Sequence, residues 1–159
     1  MKRHLNLRTA ILVGCLMTLG VVAFAAAQTA PRVGSGDVVA ERQRLMKLNG
    51  ASWQDAQAKF KAGNIEAIAV NAETMAVMAM HIPALFPQGS LTEKSSAKPE
   101  IWQKWSEFEA SAKNLQTQAE KLRDAARAKD GAAVEAQAKD FGRQACGSCH
   151  TPFRVPPKS

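Results

Sequence analysis

Apolar positions recur every three or four residues along most of this chain, the period of an amphipathic α-helix, and no stretch alternates with period two for long enough to predict a strand. Four stretches carry the helical period. From about Asp37 to Lys61 the stripe is Leu45, Met46, Asn49, Trp53, Ala56 and Phe60; Gly63 stops it, and Asn64 is placed to cap the next helix. From Ile65 to Ile82 the stripe is Ile65, Ile68, Ala72, Met75, Ala79 and Ile82, closed by Pro83. A loop from Pro83 to Pro99 comes after it. The third stripe runs Trp105, Phe108, Ala112, Leu115, Ala119, Leu122 and Ala126 until Asp130-Gly131 breaks it and caps the fourth helix, which carries Val134, Ala138, Phe141 and Ala145. Four amphipathic helices with two short turns and one longer loop predict an all-α fold, an antiparallel four-helix bundle packed at about 20°.

Charge and cysteine content change this picture at the two ends. The formal net charge is +7, but part of it belongs to a separable segment. Lys2, Arg3, His4 and Arg8 precede an apolar run from Ala10 to Ala25, and Ala23-Phe24-Ala25 and Ala25-Ala26-Ala27 offer small residues for cleavage. Residues 1–27 therefore read as a cleaved export signal. The run is shorter than the roughly 20 residues of a spanning helix, so a stable membrane anchor is not expected and the periplasm is. Without this segment the chain loses three bases and no acid, so that 18 bases face 14 acids. The signs are interspersed, with no Lys/Arg block and few aromatics to stack bases, which argues against nucleic acid as a partner. Residues 28–36 read as a flexible tether, 37–154 as the bundle domain and 155–159 as a tail.

The chemistry lies at the other end. Cys146-Gly147-Ser148-Cys149-His150 has the spacing of a c-type haem attachment sequence. Two thiols add to the two vinyl groups of one porphyrin, and an imidazole reaches the iron; on a helix, Cys146 and His150 are i and i+4 and share a face with Cys149 nearby. The expected cofactor is one covalent haem c with its iron ligated by His150. A thioredoxin-like dithiol needs a βαβ context that this helical pattern lacks. Zinc needs a fourth ligand, and the mature chain has only His81 and His150 as histidines. No paired carboxylates and no nucleophile beside a base suggest substrate turnover, so no enzyme is expected.

The chain resembles the class II c-type cytochromes, the cytochrome c-prime group and its low-spin relatives. The resemblance rests on Arg42-Gln43 and Met46-Lys47 with Gly50, Leu85-Phe86-Pro87 with Gly89, Pro99-Glu100-Ile101-Trp102, and Cys146-x-x-Cys149-His150-x-x-Phe153-Arg154. It implies a haem near one end of the bundle, with His150 as proximal ligand and Met46 facing the distal side. It also implies Arg42 beside a haem propionate, Gln43, Ser96 and Ala97 along the haem edge, and Arg154 near the proximal imidazole. Pro152 and Trp105 depart from the family pattern at the ends of the last and third helices.

Met46 divides two readings. If its thioether ligates iron, the protein is a periplasmic electron carrier that exchanges electrons with redox partner proteins, because Met/His ligation suits electron transfer. If Met46 only packs over an open distal face, the iron is five-coordinate and binds nitric oxide or carbon monoxide. His81, off the stripe of its helix, is expected to face solvent. Val70 and Val77 lie opposite that stripe at heptad spacing. They raise a homodimer as the alternative to a monomer, and the resemblance adds that class II cytochromes often pair through their first two helices.

Overall fold

The structure, a computed structural model, describes residues 37–156. The export signal, the tether and residues 157–159 of the tail lie outside the described residues. Helix α1 spans Val38–Lys61, with Asp37 as its N-cap accepting from the Val39 N–H at 2.9 Å. Helix α2 spans Ile68–His81. A short helix α3, Glu100–Gln103, precedes α4, Trp105–Arg127. Helix α5 spans Gly131–Phe141, capped by the Asp130 carboxylate at the Ala133 N–H, 2.9 Å. A five-residue π turn, Gly142–Cys146, then leads into α6, Gly147–Phe153. The fourth rod of the bundle is thus α5, the π turn and α6 in series. Among the described residues there is no strand, only one isolated bridge between Ala97 and Arg154.

The core matches the expected stripes closely. On α4, Phe108, Ala112, Leu115, Ala119, Leu122 and Ala126 are all buried; on α2, Ile68, Ala72, Met75 and Ala79 are. The α2–α4 contact is the most extensive between any two helices of the bundle. Its many buried alanines let the two backbones approach, while Ile68, Met75 and Leu122 supply volume. Ion pairs from Glu73 to Arg123 at 3.0 Å and Arg127 at 3.2 Å cross the same pair of helices at the surface.

Helix α2 begins at Ile68 rather than Ile65, and Asn64 does not cap it. Gly63 adopts φ +73°, and the Asn64 N–H turns back to the Lys59 carbonyl at 2.9 Å, so this residue closes α1 instead. The loop after α2 is more ordered than its composition suggests: Pro83–Leu85 form a 3₁₀ turn, and α3 precedes a break at Lys104.

The fourth rod is not a regular α-helix. Phe141, Ala145 and Phe153 are buried, with Cys149 half-buried between them, a 4-4-4 spacing. In an α-helix each four-residue step drifts by about 40°, so three steps would carry the last residue about 120° around the axis. The wider π turn, in which the Gly147 N–H reaches the Gly142 carbonyl, takes up part of that drift and keeps the residues facing the bundle. Pro152 sits inside α6 and removes the donor that would pair with the Ser148 carbonyl; the Ser111 hydroxyl of α4 stands 3.3 Å from that oxygen.

One buried polar residue joins α1 to α2. Asn71, 7% exposed, accepts from Lys59 Nζ at 2.7 Å and donates to Asp55 Oδ2 at 2.8 Å, while Lys59 and Asp55 pair at 2.7 Å. Asn71→Ala is expected to cost about 1–3 kcal/mol in denaturant unfolding, because it strips both partners. The hydrogen bonds from Lys59 and Asn71 hold the Asp55 carboxyl below its ordinary value. Its contribution is therefore fully present above about pH 4, the unfolded value, and is lost as pH falls through the lower folded value. Thermal melts of Asp55→Asn and wild type should converge as the pH is lowered through that range; a constant gap would show that ionisation of Asp55 plays no part.

Candidate functional site

Helices α1 and α6 do not pack directly at the end of the bundle that carries the cysteine motif. Between them lies a cavity of about 380 Å³. Its walls are Val39, Arg42, Gln43, Met46 and Lys47 of α1, Cys149, His150 and Phe153 of α6, Ser95 to Ala97 of the loop, and the ring faces of Phe86 and Phe108. Two helical turns along α1 from Met46, Trp53 stacks on Phe141 with ring centroids 4.5 Å apart and planes 24° from parallel. This stack joins α1 to the fourth rod beyond the cavity.

Aromatic residues build the inner wall. Phe108 meets Phe86 edge-on at 4.8 Å and Phe153 at 5.5 Å, nearly perpendicular. Such edge contacts add about 0.5–1.5 kcal/mol each beyond the area they bury. Phe153 comes three residues after His150, so the side chain that anchors α6 lies one turn from the imidazole.

Every site residue expected from the sequence except Cys146 lines this cavity: Arg42, Gln43, Met46, Ser96, Ala97, Cys149 and His150. Cys146 is half-buried against the core one turn earlier. His81 is exposed at the end of α2, away from the cavity. Arg42 is buried, at 4% exposure, and its guanidinium lies 4.2 Å from the Phe86 ring centroid. It donates to the Leu85 carbonyl, the Ser90 hydroxyl and, at 3.2 Å, the Ser90 carbonyl. Three of its five N–H donors are thereby committed to the loop and two remain. Gln43 Nε2 donates to the Lys94 carbonyl at 3.1 Å, and Trp102 Nε1 to the Phe86 carbonyl at 3.0 Å. The loop also joins the chain beyond α6: the Lys98 N–H donates to the Phe153 carbonyl at 2.9 Å and the Val155 N–H to the Ser96 carbonyl at 2.8 Å.

Periodicity did not identify these loop anchors. Leu85 and Ser90 act largely through backbone carbonyls, which carry no side-chain signature. Phe86, Phe108 and Phe153 are visible as apolar residues, but their meeting depends on the packing of three separate segments.

The electrostatics fit a ligating histidine and two inert thiols. Burial and the neighbouring Arg154 cation lower the pKa of His150, which favours the neutral imidazole, the form that binds metal. Burial raises Cys146 and pushes Cys149 up to about 11. Reactive redox cysteines have lowered values, so this environment speaks against a thiol oxidoreductase. Both thiols are free. Two protonated thiols and a neutral imidazole on one short segment, beside a cavity walled by Phe, Ile and Met, are a donor set that suits a haem c.

Known proteins agree with this chemistry. Residues 37–154 match the family model described as Cytochrome C'. Cytochrome c-556 of Agrobacterium fabrum is 33% identical over 153 residues, covering 94% of each chain. Cytochrome c' of Pararhodospirillum photometricum is 33% identical over 117 residues, covering 71% of this chain and 92% of that one. Among solved structures, the nitric oxide complex of a mutant cytochrome c prime from Alcaligenes xylosoxidans superposes with a TM-score of 0.67 at 26% identity, covering 76% of this chain and 95% of that one. A family model spanning the whole bundle, with relatives that share a third of its residues, places this chain in the cytochrome c' family of class II c-type cytochromes, four-helix bundles that carry covalent haem c.

Proposed function

We propose that this protein is a periplasmic electron carrier with one haem c, held through Cys146 and Cys149 and ligated by His150 on the proximal side and Met46 on the distal side. The observation that carries this reading is that Met46 of α1 and His150 of α6 line the same cavity. Bound there, haem c supplies a one-electron iron centre. The chain's part is to hold and insulate it: Phe86, Phe108 and Phe153 exclude water, and the loop anchors limit rearrangement. Arg42 keeps two N–H donors for a propionate, and Gln43, Ser96 and Ala97 lie along the haem edge. The export signal accounts for the compartment, and among the described residues no helix is long and apolar enough to cross a membrane.

A second reading, an open distal site for nitric oxide or carbon monoxide, draws support from the nitric oxide complex of the similar Alcaligenes protein. Absorption spectra separate the two. Under the first, the wild type is low-spin, and Met46→Ala converts it to high-spin and admits carbon monoxide to the reduced iron. A wild type that is already high-spin, with a spectrum unchanged by Met46→Ala, selects the second. Met46 is only half-buried, so the variant should lose less than the roughly 2–5 kcal/mol of a fully buried methionine and remain folded.

The attachment is tested separately. Acid–organic extraction should leave haem on the wild-type protein, and Cys149→Ala should leave a single thioether and a less stable holoprotein. Free extraction from the wild type would remove the covalent assignment of both cysteines.

Helix α2 offers a surface for association. Val70 and Val77 are exposed, at 69% and 45%, on the face of α2 away from the core. In a two-fold dimer this patch meets its own copy. Sedimentation at micromolar concentration is expected to show a dimer that Val70→Lys with Val77→Glu dissociates without altering the absorption spectrum. A monomeric wild type, or a dimer that survives the change, would exclude this surface.

A further inference from the structure

The charges around the cavity are one-sided. Its charged lining residues are Arg42, Lys47 and Arg154, with no carboxylate among them. Lys94 and Lys98 belong to the same rim: the Lys94 carbonyl accepts from Gln43, and Lys98 pairs through its backbone with Phe153, beside Arg154. Lys47, Lys94 and Arg154 are exposed and Lys98 is half-buried. None of the four takes part in an ion pair among the described residues, although Lys59, Arg123, Arg127 and Lys129 elsewhere do. The acids on the same segments are Asp37, Glu41 and Glu93; Asp37 caps α1 and raises the pKa of Arg42. Counting Arg42 and Arg44, six bases face these three acids. Arg42 is buried and tied to the loop, so the four rim cations remain for a partner in solution.

Unpaired cations are costly to keep together unless something outside the chain uses them. Gathered at the opening of a redox site, they raise the local concentration of anions and orient an approaching negative surface. We infer that the cavity mouth is the docking surface for an acidic redox protein, with Lys47, Lys94, Lys98 and Arg154 as its contact charges. This rests on the electron-carrier reading above and adds the chemistry of the partner and the face it approaches.

The experiment compares two double variants of equal charge change in the holoprotein. Lys94→Glu with Lys98→Glu reverses the rim. Lys61→Glu with Lys121→Glu reverses two exposed, unpaired lysines at the far end of α1 and late in α4. Lys61 is about 20 Å along α1 from Lys47. At 0.1 M ionic strength the Debye length is about 10 Å, so rim charges act on a bound ion and the remote pair is screened. Stopped-flow oxidation of the reduced protein by ferricyanide should slow at least threefold in the rim variant and by less than about half of that in the remote one. Oxidation by the cationic tris(phenanthroline)cobalt(III) should not slow in the rim variant. A second readout needs no electron transfer: backbone amide shifts on titration with the redox-inert hexacyanocobaltate(III) trianion should concentrate at residues 43–47, 94–98 and 154–155. Equal slowing in both double variants, or amide shifts centred elsewhere, would overturn the docking surface while leaving the electron carrier intact. A protein that exchanges electrons with neither oxidant would overturn both.

Discussion

The stack of Trp53 on Phe141 sets the spacing on which the site depends. Apolar walls in water close on each other unless rigid groups hold them apart. Here two large rings bridge α1 and the fourth rod beyond the cavity, while Phe86, Phe108 and Phe153 fill the inner side. The gap between is left for a flat, largely apolar group, and the helices that border it carry Met46 and His150. Everything else at this end, from the Arg42 latch to the π turn, aims side chains into that gap.

The loop between α2 and α4 does much of this without regular structure. It is held to α1 through Arg42 and Gln43, to α3 through Trp102, and to the chain after α6 through paired backbone hydrogen bonds. A segment fixed on three sides moves little when a charge changes beside it. Low rearrangement is what an electron-transfer site requires of its surroundings, so the loop matters to the chemistry although it offers only backbone and small side chains.

The helices and the cysteine motif were legible because their signals are periodic or compact. The α4 stripe is the clearest case: six of its seven expected positions are buried, and Trp105 is half-buried at the helix start. Met46 and His150 were paired only through family resemblance, since no local pattern relates residues a hundred positions apart. The π turn was hidden because Phe141, Ala145, Cys149 and Phe153 satisfy a loose helical spacing. Only their cumulative drift shows that a regular α-helix would turn them away from the core. Asn71 was hidden for a different reason: a lone polar residue in an apolar stretch does not reveal where its two partners on α1 will be.

The last segment, Cys146 to Arg154, is attached differently from the helices it rests on. It meets α4 through Phe153 against Phe108 and through hydrogen bonds from Asn114 and Ser111, and it meets the loop through the Ala97–Arg154 bridge. The α2–α4 core contains none of it. Partial opening of a protein runs along such seams, because a unit with few buried contacts separates at lower cost than the whole unfolds. The final nine residues of the domain therefore form a flap whose release uncovers both thiols and the imidazole together while three helices keep their packing. Access to the attachment chemistry is thus governed by the energetics of a C-terminal clasp rather than by the stability of the bundle.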